Sequence, residues 1–340
     1  MSELRPIEII GGGLAGLSLG LALRRAGVAV TLHEAGTYPR HRVCGEFITG
    51  LPPHPRERLG LDPFLAGAAT AREVAWFIRE KPSRIQTLPT PVPALSRHAL
   101  DARLADAFVQ AGGTLHTHSR FITTADAPGR VFATGRRRAA SRWIGLKFHA
   151  LDLPLSRDLE VHLGDQTYVG LAKIEDHRVN VCGLFRRREL CAKGPDLLLG
   201  YLQAAQLPKL ASRLATAAVD PASFCAVAAV DFDRRVTPSS QVRLGDTCAM
   251  IPPFTGHGMA MAFQSAELSL DPLLAYARGT ADWPATRAAI HHALHRRFRL
   301  RLATAAALHA FLLQPPRQRI FAALNRARLL PLRPLYAALH

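Results

Sequence analysis

The stretch that decides the fold is Ile7-Glu8-Ile9-Ile10-Gly11-Gly12-Gly13-Leu14-Ala15-Gly16, near the start of the chain. Its apolar residues 7–10 predict a short buried strand. Good helix formers over residues 17–26 predict a helix, and Gly27 is placed to end it. The glycine turn between the strand and the helix has the G-x-G-x-x-G spacing.

The three spaced glycines of this turn have separate physical roles. Gly11 permits the tight turn, Gly13 lets a diphosphate approach the backbone, and Gly16 allows the helix to pack closely on the strand. Leu14 and Ala15 then lie at the helix N-terminus, where unpaired N–H groups and the helix dipole favour a phosphate.

A second β-branched segment, residues 28–32, follows the helix and predicts a second strand, with Glu34 just past its end. At this spacing a carboxylate accepts hydrogen bonds from the ribose hydroxyls of a dinucleotide. The order of strand, glycine turn, helix, strand and acidic residue therefore predicts a Rossmann βαβ unit. The turn alone does not distinguish NAD from FAD.

The rest of the chain alternates between predicted helices and strands. Ser96 is placed to cap a helix over residues 97–111. Residues 159–163, 168–174 and 179–185 predict consecutive antiparallel strands, which we expect to line a mostly apolar ligand pocket. The other predicted elements are strands at 73–78, 114–118, 131–135 and 241–245, helices within 189–217 and over 258–276, and a basic helical region from about residue 291, broken at Pro315-Pro316.

The composition is globular, but the charge is unusual. Apolar residues make up 48% of the chain and charged residues 20%, which argues against disorder. The 43 Lys and Arg residues outnumber 26 Asp and Glu residues, for a formal net charge of +17. Because the basic residues are spread along the chain without a nucleic-acid-binding motif, we expect no nucleic-acid partner. The charge suits a phosphate-bearing ligand and leaves open a peripheral contact with a membrane or an acidic carrier.

The five cysteines are widely spaced and include no C-x-x-C pair, which predicts free thiols in a reducing compartment. A strand pattern begins within a few residues of the N-terminus, so we expect no signal peptide. No apolar run approaches the roughly 20 residues of a membrane-spanning helix. A cytoplasmic protein is expected. No metal is expected either, because His291, His292 and His295 are better explained as a solvated helix face.

A second glycine-containing stretch lies close to residue 250. Val242-Arg243-Leu244-Gly245-Asp246 is followed by Pro252-Pro253-Phe254-Thr255-Gly256-His257-Gly258-Met259 and a long predicted helix. With the N-terminal turn, it resembles the flavin fingerprint of the p-hydroxybenzoate hydroxylase-like superfamily of FAD-dependent oxidoreductases. The resemblance implies that Asp246 binds the ribityl chain of FAD. It also implies that the following loop contacts the flavin ring and the diphosphate through Pro253, Gly256, His257, Gly258 and Met259.

The helix that follows Ser96 resembles a third stretch of this superfamily, whose arginine contacts the cofactor. The resemblance gives this role to Arg97. It covers most of residues 1–280.

The loop Tyr38-Pro39-Arg40-His41-Arg42-Val43-Cys44-Gly45-Glu46-Phe47 is most similar to the geranylgeranyl reductase-like branch, in which a Cys-Gly pair lies beside the flavin. The resemblance implies that Arg42, Cys44 and Gly45 contact the cofactor, and that Cys44 is a proton donor or positioning group near a substrate double bond. Cationic neighbours favour a thiolate, so we expect a lowered pKa for Cys44. The alternative is a small buried thiol that packs against the cofactor.

The fold class that follows is α/β, with a Rossmann-like FAD-binding domain, an inserted antiparallel β-sheet substrate domain and a helical C-terminal cap. We expect FAD-binding segments at 1–70, 96–142 and 236–280. Substrate-domain segments are expected at 71–95 and 143–235, and the helical C-terminal region at 281–340.

The resemblance implies an FAD-dependent oxidoreductase that takes a small hydrophobic, isoprenoid- or polyketide-like substrate, with NAD(P)H as the electron donor. Reduced flavin would deliver a hydride to a double bond of the substrate. Three alternatives remain open. They are an FAD-dependent monooxygenase of an aromatic or polyketide substrate, a non-catalytic flavin-binding redox module, and a simple NAD-binding dehydrogenase.

Overall fold

Two β-sheets organise the computed structural model, which describes residues 4–121, 125–136, 141–228, 230, 232, 236, 239–327 and 329. In chain order the strands are β1 (Ile7–Ile10), β2 (Val30–His33), β3 (Ala69–Ile78), β4 (Lys81–Ala94), β5 (Thr114–His116), β6 (Arg130–Phe132), β7 (Trp143–Leu151), β8 (Leu159–Gly164), β9 (Thr167–Lys173), β10 (Arg178–Arg186), β11 (Ala218–Ala228) and β12 (Val242–Arg243). The α-helices are α1 (Leu14–Arg25), α2 (Pro53–Leu59), α3 (Arg97–Gln110), α4 (Pro195–Ala204), α5 (Pro208–Ala215), α6 (Gly258–Ala277), α7 (Trp283–Leu312) and α8 (Pro315–Arg326).

The first sheet is parallel, with the strand order β12-β6-β1-β2-β5. Its central strands share one hydrophobic core with α1, α3, α6 and α7. The loops that follow β1, β2, β6 and β12 all leave from the carboxyl edge of this sheet. In open parallel sheets this edge is where ligands bind.

The second sheet has the order β11-β7-β10-β9-β8-β3-β4. Neighbouring strands are antiparallel except β3 and β8, which run parallel. The predicted antiparallel sheet is therefore correct for all but one strand pair. The exception arises because β3 and β8 are joined by a long crossover through the first sheet, and parallel pairs require such connections. Helices α4 and α5 cover one face of the second sheet, in a hydrophobic core of their own.

Several elements begin or end away from their predicted limits. Helix α1 begins at Leu14 rather than residue 17, because the third glycine of the turn lies inside the helix. The loop over residues 36–60 contains α2, which begins at Pro53, and a proline is well tolerated in a first helical turn. The proline-rich stretch 82–93 lies within β4, an edge strand, where a missing backbone N–H is tolerated.

Two further differences lie in the second half of the chain. Strand β11 was not predicted, because its alternation is interrupted by a register shift between Asp220 and Cys225. Helix α7 begins at Trp283, before the predicted helical start near residue 291, since the Asp282 side chain caps it by accepting the Ala285 N–H. Pro315 starts α8, so the predicted break is a junction between two helices. The segment boundaries expected for the domains stay a prediction.

Candidate functional site

Glycine is required at two positions of the turn after β1. Gly11 has φ +113°, and a Cβ there would overlap the carbonyl oxygen of Ala133. A Cβ on Gly16 would overlap the carbonyl oxygen of Gly11. Only glycine therefore lets α1 pack this closely on β1.

The N-terminus of α1 faces open space. Its N-cap residue is Gly13, which makes no side-chain capping hydrogen bond, and the first turn carries no acidic residue. A Cβ on Gly13 would meet only Arg97 Nη2 within 4 Å, at 4.0 Å. Leu14 and Ala15 thus begin a helix whose free end has a guanidinium beside it. Such an end attracts a diphosphate through both its N–H groups and its dipole.

Arg97 is held in place by Asp101, one turn further along α3. Its Nε and Nη2 donate to the two carboxylate oxygens of Asp101 at 2.7 and 2.8 Å, and Arg42 Nε donates to the same carboxylate at 3.1 Å. Although burial lowers the pKa of Arg97, the buried Asp101 carboxylate raises it above its usual range. Arg97 therefore stays cationic. As predicted, Ser96 caps α3 by accepting the Ala99 N–H at 3.1 Å.

Glu34 is buried at the end of β2, and protein groups hold its carboxylate. It accepts the backbone N–H groups of Gly12 and Gly36, each at 2.9 Å. Arg40 Nη2 lies 3.2 Å from one oxygen and Arg42 Nη2 lies 3.7 Å from the other. Glu34 and Arg42 thus lie together beside the glycine turn.

Tyr38 lies at the same turn but has no counterpart among the predicted site residues. Its hydroxyl donates to the Gly12 carbonyl oxygen at 2.6 Å. Burial and the nearby Glu34 carboxylate raise the pKa of Tyr38 far above its usual value, so the hydroxyl remains a donor. The spacing of Tyr38 from Glu34 gave no periodic signal, because both residues lie on irregular loops.

Asp246 lies in a short 3-10 turn, Gly245–Thr247, directly after β12. Gly245 has φ +55°, and a Cβ there would lie 3.3 Å from the Ala15 Cβ, so this turn abuts the start of α1. Burial raises the pKa of Asp246, and the charges of Arg97, Arg136 and Arg42 partly offset that rise. The carboxylate therefore lies among cations beside the glycine turn.

The loop before α6 contacts the loop that carries Cys44. Pro253 begins a 3-10 turn that ends at Gly256, whose φ is +70°, and a Cβ on Gly256 would overlap the Phe47 ring. Thr49 Oγ1 donates to the Thr255 carbonyl oxygen at 3.0 Å, and the buried His257 Nδ1 lies 3.5 Å from the same hydroxyl.

Two further predicted residues of this loop differ in their surroundings. A Cβ on Gly258 would meet no atom of the described residues within 4 Å, so among these residues the first turn of α6 also faces open space. Met259, the next residue, is buried in the core of the first sheet.

Cys44 lies against the inner face of the second sheet. Asn180 Nδ2 donates to the Cys44 carbonyl oxygen at 2.9 Å, and the Glu46 N–H donates to the Cys44 sulfur at 3.4 Å. Burial raises the pKa of the Cys44 thiol, and the Arg97 charge offsets this only in part. The predicted lowering of this pKa is wrong, because Arg40 and Arg42 are engaged by Glu34 and Asp101. Gly45 allows the close turn, since a Cβ there would lie 2.9 Å from the Phe47 ring.

Behind Cys44 lies a buried ionic cluster formed by Glu46, Lys147 and His149, which are all wholly buried. Lys147 Nζ lies 3.3 Å from Glu46 Oε1, and His149 Nε2 lies 2.7 Å from Glu46 Oε2. Lys147 Nζ also lies 3.2 Å from His41 Nδ1. Burial and the Lys147 charge lower the pKa of His41 to about 4, so its ring is neutral at neutral pH.

This cluster is absent from the residues predicted for the site, although the sequence of β7 carries a signal for it. Lys147 and His149 alternate along β7, in a strand whose other residues are almost all apolar. Two ionisable residues at period two share one face of a strand. Their partner, Glu46, lies two residues after Cys44 in the loop over residues 38–47.

A cavity of about 800 Å³ lies at one end of the second sheet. Its walls include Trp143 on β7, Pro252 before the Gly256 loop, and His309 on α7. The expected pocket was to lie along the strands over residues 168–185. Among the described lining residues, this part of the sheet contributes Arg186, at the end of β10, and Gln166, just before β9.

Among the described residues, no group of three or more His, Cys, Asp and Glu side chains is arranged to hold a metal ion. Of the histidines considered for such a site, His291 instead lies 3.0 Å from the Gln241 carbonyl oxygen. None of the described helices combines the length and the hydropathy needed to cross a membrane.

The residues at the carboxyl edge of the first sheet fit FAD. The free N-terminus of α1 and Arg97 suit the diphosphate. Glu34 after β2 and Asp246 after β12 are carboxylates on the same sheet edge, suited to hydroxyl groups. The open space in front of Gly13 and Gly258 admits a ligand close to the backbone.

The chain matches no protein-family model and no curated protein, whereas many solved structures share its fold. PqsL from Pseudomonas aeruginosa, described as a probable FAD-dependent monooxygenase, is 16% identical with a TM-score of 0.70, covering 92% of this chain and 98% of that one. A Klebsiella pneumoniae HpxO variant complexed with FAD is 16% identical with a TM-score of 0.73, covering 98% of each chain.

A geranylgeranyl bacteriochlorophyll reductase-like protein from Thermoplasma acidophilum is 14% identical with a TM-score of 0.75, covering 98% of this chain and 95% of that one. At these sequence identities the similarity is evidence for the fold alone. The predicted fold class is confirmed, and the chain shares the fold of PqsL, of HpxO and of the reductase-like protein.

Proposed function

We propose that this chain is an FAD-dependent oxidoreductase. The observation that carries the proposal is the free N-terminus of α1, with Arg97 beside Gly13, and with Gly245, the residue before Asp246, against Ala15 at the same sheet edge. HpxO, which shares the fold, has been seen in complex with FAD.

Each part of this edge has a distinct task in binding. The first N–H groups of α1 and Arg97 bind the diphosphate, Glu34 holds the adenosine ribose, and Asp246 holds the ribityl chain. The loop around Gly256 and Gly258 lies where the backbone can approach the flavin ring. When bound, FAD supplies two-electron redox chemistry, with NAD(P)H as the proposed source of electrons.

For the reaction, we propose reduction of a carbon–carbon double bond in a small hydrophobic substrate. Such a reduction adds two electrons and two protons to the substrate. The buried Cys44 thiol is suited to donate a proton, because burial keeps it protonated at neutral pH. Arg97 and Lys147 are the charges that stabilise the thiolate left behind.

A second candidate is hydroxylation by an FAD-dependent monooxygenase. It is favoured by the likeness to PqsL, which is described as a probable FAD-dependent monooxygenase and has been crystallised with 2-aminobenzoylacetate. In this reaction Cys44 would have no proton to deliver to carbon.

The first experiment is to purify the full chain and to measure its visible absorbance before and after incubation with FAD. Anaerobic reduction with NADH, NADPH or dithionite follows, and then re-oxidation by oxygen or by candidate alkenes. Re-oxidation by an alkene without oxygen supports reduction. Oxygen consumption coupled to hydroxylated product supports the monooxygenase. Bound flavin that none of the reductants reduces would point to a non-catalytic module, and failure to bind FAD at all would overturn the proposal.

A further inference from the structure

His309 is the most unusual residue of the 800 Å³ cavity. It lies on α7, and both of its ring nitrogens are buried without a hydrogen-bond partner among the residues that the structure describes. Buried polar atoms are almost always paired in folded proteins, so an unpaired pair of nitrogens on a cavity wall needs an explanation.

Flat aromatic rings surround His309. The ring centroids of Phe232, Trp143, Tyr168 and Phe254 lie 5.1, 5.5, 6.2 and 6.3 Å from the imidazole centroid. Of these, Phe232 and Trp143 line the cavity itself. Aromatic walls favour a planar ring, which can stack or meet them edge to face.

The charge at the cavity is one-sided. Its described lining contains Arg142 and Arg186 and no acidic residue. Arg186 is paired with the neutral Gln166 at 2.5 Å, so its positive charge is not cancelled. A guanidinium at a pocket rim is suited to a carboxylate or a comparable anion.

His309 itself is neutral at neutral pH. Burial lowers its pKa to about 4, and the Arg142 charge acts in the same direction. A neutral imidazole offers one N–H donor and one acceptor nitrogen. It can therefore pair with a hydroxyl, amine or carbonyl group on a bound ring.

The cavity also borders the predicted flavin-contacting loop. Pro252 lines it, and the ring of Phe254, two residues further on, lies almost parallel to the His309 ring, at an interplanar angle of 17°. A ligand in the cavity would thus lie beside the loop that includes Gly256.

We propose that this cavity is the substrate site and that it takes a planar conjugated ring bearing an anionic group, with His309 as the specificity-determining residue. This inference rests on the proposed function for the chemistry that follows binding. The binding itself does not depend on it. A flexible isoprenoid chain would leave both nitrogens of His309 unpaired, and its apolar end would gain nothing from the two arginines.

The test is isothermal titration calorimetry on the full-length protein with three probes. 2-Naphthoate is planar and anionic, 2-naphthamide keeps the ring without the charge, and geranate keeps the charge on a flexible chain. We expect 2-naphthoate to bind with a Kd at least about tenfold lower than either of the others, the scale of one charge-assisted hydrogen bond.

Substitutions in the cavity wall then test whether 2-naphthoate binds in the cavity. His309→Leu and Arg142→Ala should each raise the Kd for 2-naphthoate by about tenfold or more, whereas His309→Gln should restore most of the affinity by keeping a donor and an acceptor. His295→Leu, an exposed histidine on the same helix, is the matched control and should leave the Kd unchanged.

Tightest binding of geranate, equal binding of 2-naphthoate and 2-naphthamide, or no effect of the His309 and Arg142 substitutions would overturn the inference. So would the absence of binding by 2-naphthoate. Flavin content is measured separately on the same preparations. A protein that binds 2-naphthoate but not FAD therefore refutes the proposed function alone.

Discussion

The carboxylate of Glu46 and the imidazole of His149 lie 2.7 Å apart, and both side chains are wholly buried. The same carboxylate lies 3.3 Å from Lys147 Nζ and accepts the Arg97 N–H at 3.0 Å. Glu46 thereby ties the Cys44 loop to β7 on one side and to α3 on the other. This buried network fixes the loop that carries Cys44, while a buried ion pair as such gains little stability over an apolar contact.

Replacing Glu46 should strongly destabilise the protein. Glu46→Gln leaves the Lys147 charge buried without its partner, and removing one member of a buried pair typically costs about 3–5 kcal/mol. Urea unfolding at neutral pH measures the difference. Glu73→Gln is the control, since Glu73 pairs with Arg157 in an exposed salt bridge and should change stability by less than about 1 kcal/mol.

The same carboxylate should contribute to the acid sensitivity of the fold. Burial alone would raise the pKa of Glu46, but the His149 hydrogen bond and the Lys147 charge hold it below the ordinary value of 4.5. A lowered folded-state pKa means that the stabilisation is present above about pH 4.5 and is lost as the pH falls below it. Unfolding free energies measured across this range should fall less steeply for Glu46→Gln. Parallel curves for the two proteins would contradict this prediction.

Asp246→Ala should weaken FAD binding. Loss of a hydrogen bond to a charged group costs about 1.5–3 kcal/mol, so the Kd for FAD should rise by about one to two orders of magnitude. Titration of the apoprotein with FAD, followed by absorbance, gives the Kd. Asp165→Ala, which removes an exposed partner of Arg188, is the control. An unchanged flavin content in Asp246→Ala would show that Asp246 does not bind FAD. Glu34→Ala should weaken binding of the adenosine end of FAD and raise the Kd for FAD to a similar extent.

Two glycines of one loop should respond differently to alanine. At Gly258 a Cβ would meet no protein atom within 4 Å, so Gly258→Ala should leave the unfolding free energy unchanged or slightly higher while weakening FAD binding. At Gly256 the φ of +70° and the Phe47 ring both oppose a Cβ, so Gly256→Ala should destabilise the fold itself. Thermal unfolding and FAD titration of both variants separate the two effects. Normal FAD affinity in Gly258→Ala would mean that the cofactor does not approach this backbone.

Cys44→Ser should keep FAD bound and reducible but should slow alkene reduction by about 10²-fold or more, the usual scale for a lost general acid. The comparison is between the rate of flavin reduction by NAD(P)H and the rate of product formation. Cys191→Ser, at an exposed cysteine, serves as the control. Normal turnover in Cys44→Ser would leave the thiol as a packing group and make the monooxygenase the leading candidate.

The sequence predicted best where local geometry forces the residue type. Gly11 and Gly16 are required by backbone contacts within a short segment, and the G-x-G-x-x-G spacing reports this directly. Glu34 and Asp246 follow strand ends, so their place at the carboxyl edge could also be predicted. These residues lie close together because of the order of the parallel strands in the sheet. That order was expected from the family resemblance and not from the local sequence.

The residues that were missed depend on contacts between distant segments. Lys147 and His149 can be recognised as members of an ionic cluster only when Glu46 is known to lie against β7. Glu46 lies about a hundred residues earlier in the chain. The pKa of Cys44 was mispredicted for a related reason. Nearby arginines suggested a thiolate, but the structure directs them to other carboxylates and buries the sulfur. Sequence neighbours do not report such competition for partners.

The parallel pairing of β3 with β8 has a consequence for how the chain folds during synthesis. The β3–β4 hairpin is complete when residue 94 has been made, yet the strand that covers its open edge spans Leu159–Gly164. Throughout that interval the free edge of β3 can pair with other chains, the usual hazard of an uncovered strand. The first sheet likewise lacks its end strand until β12 has been made. Neither sheet has all of its strands until β11 (Ala218–Ala228) and then β12 (Val242–Arg243) have been made, so about two thirds of the chain must be synthesised before either sheet is complete.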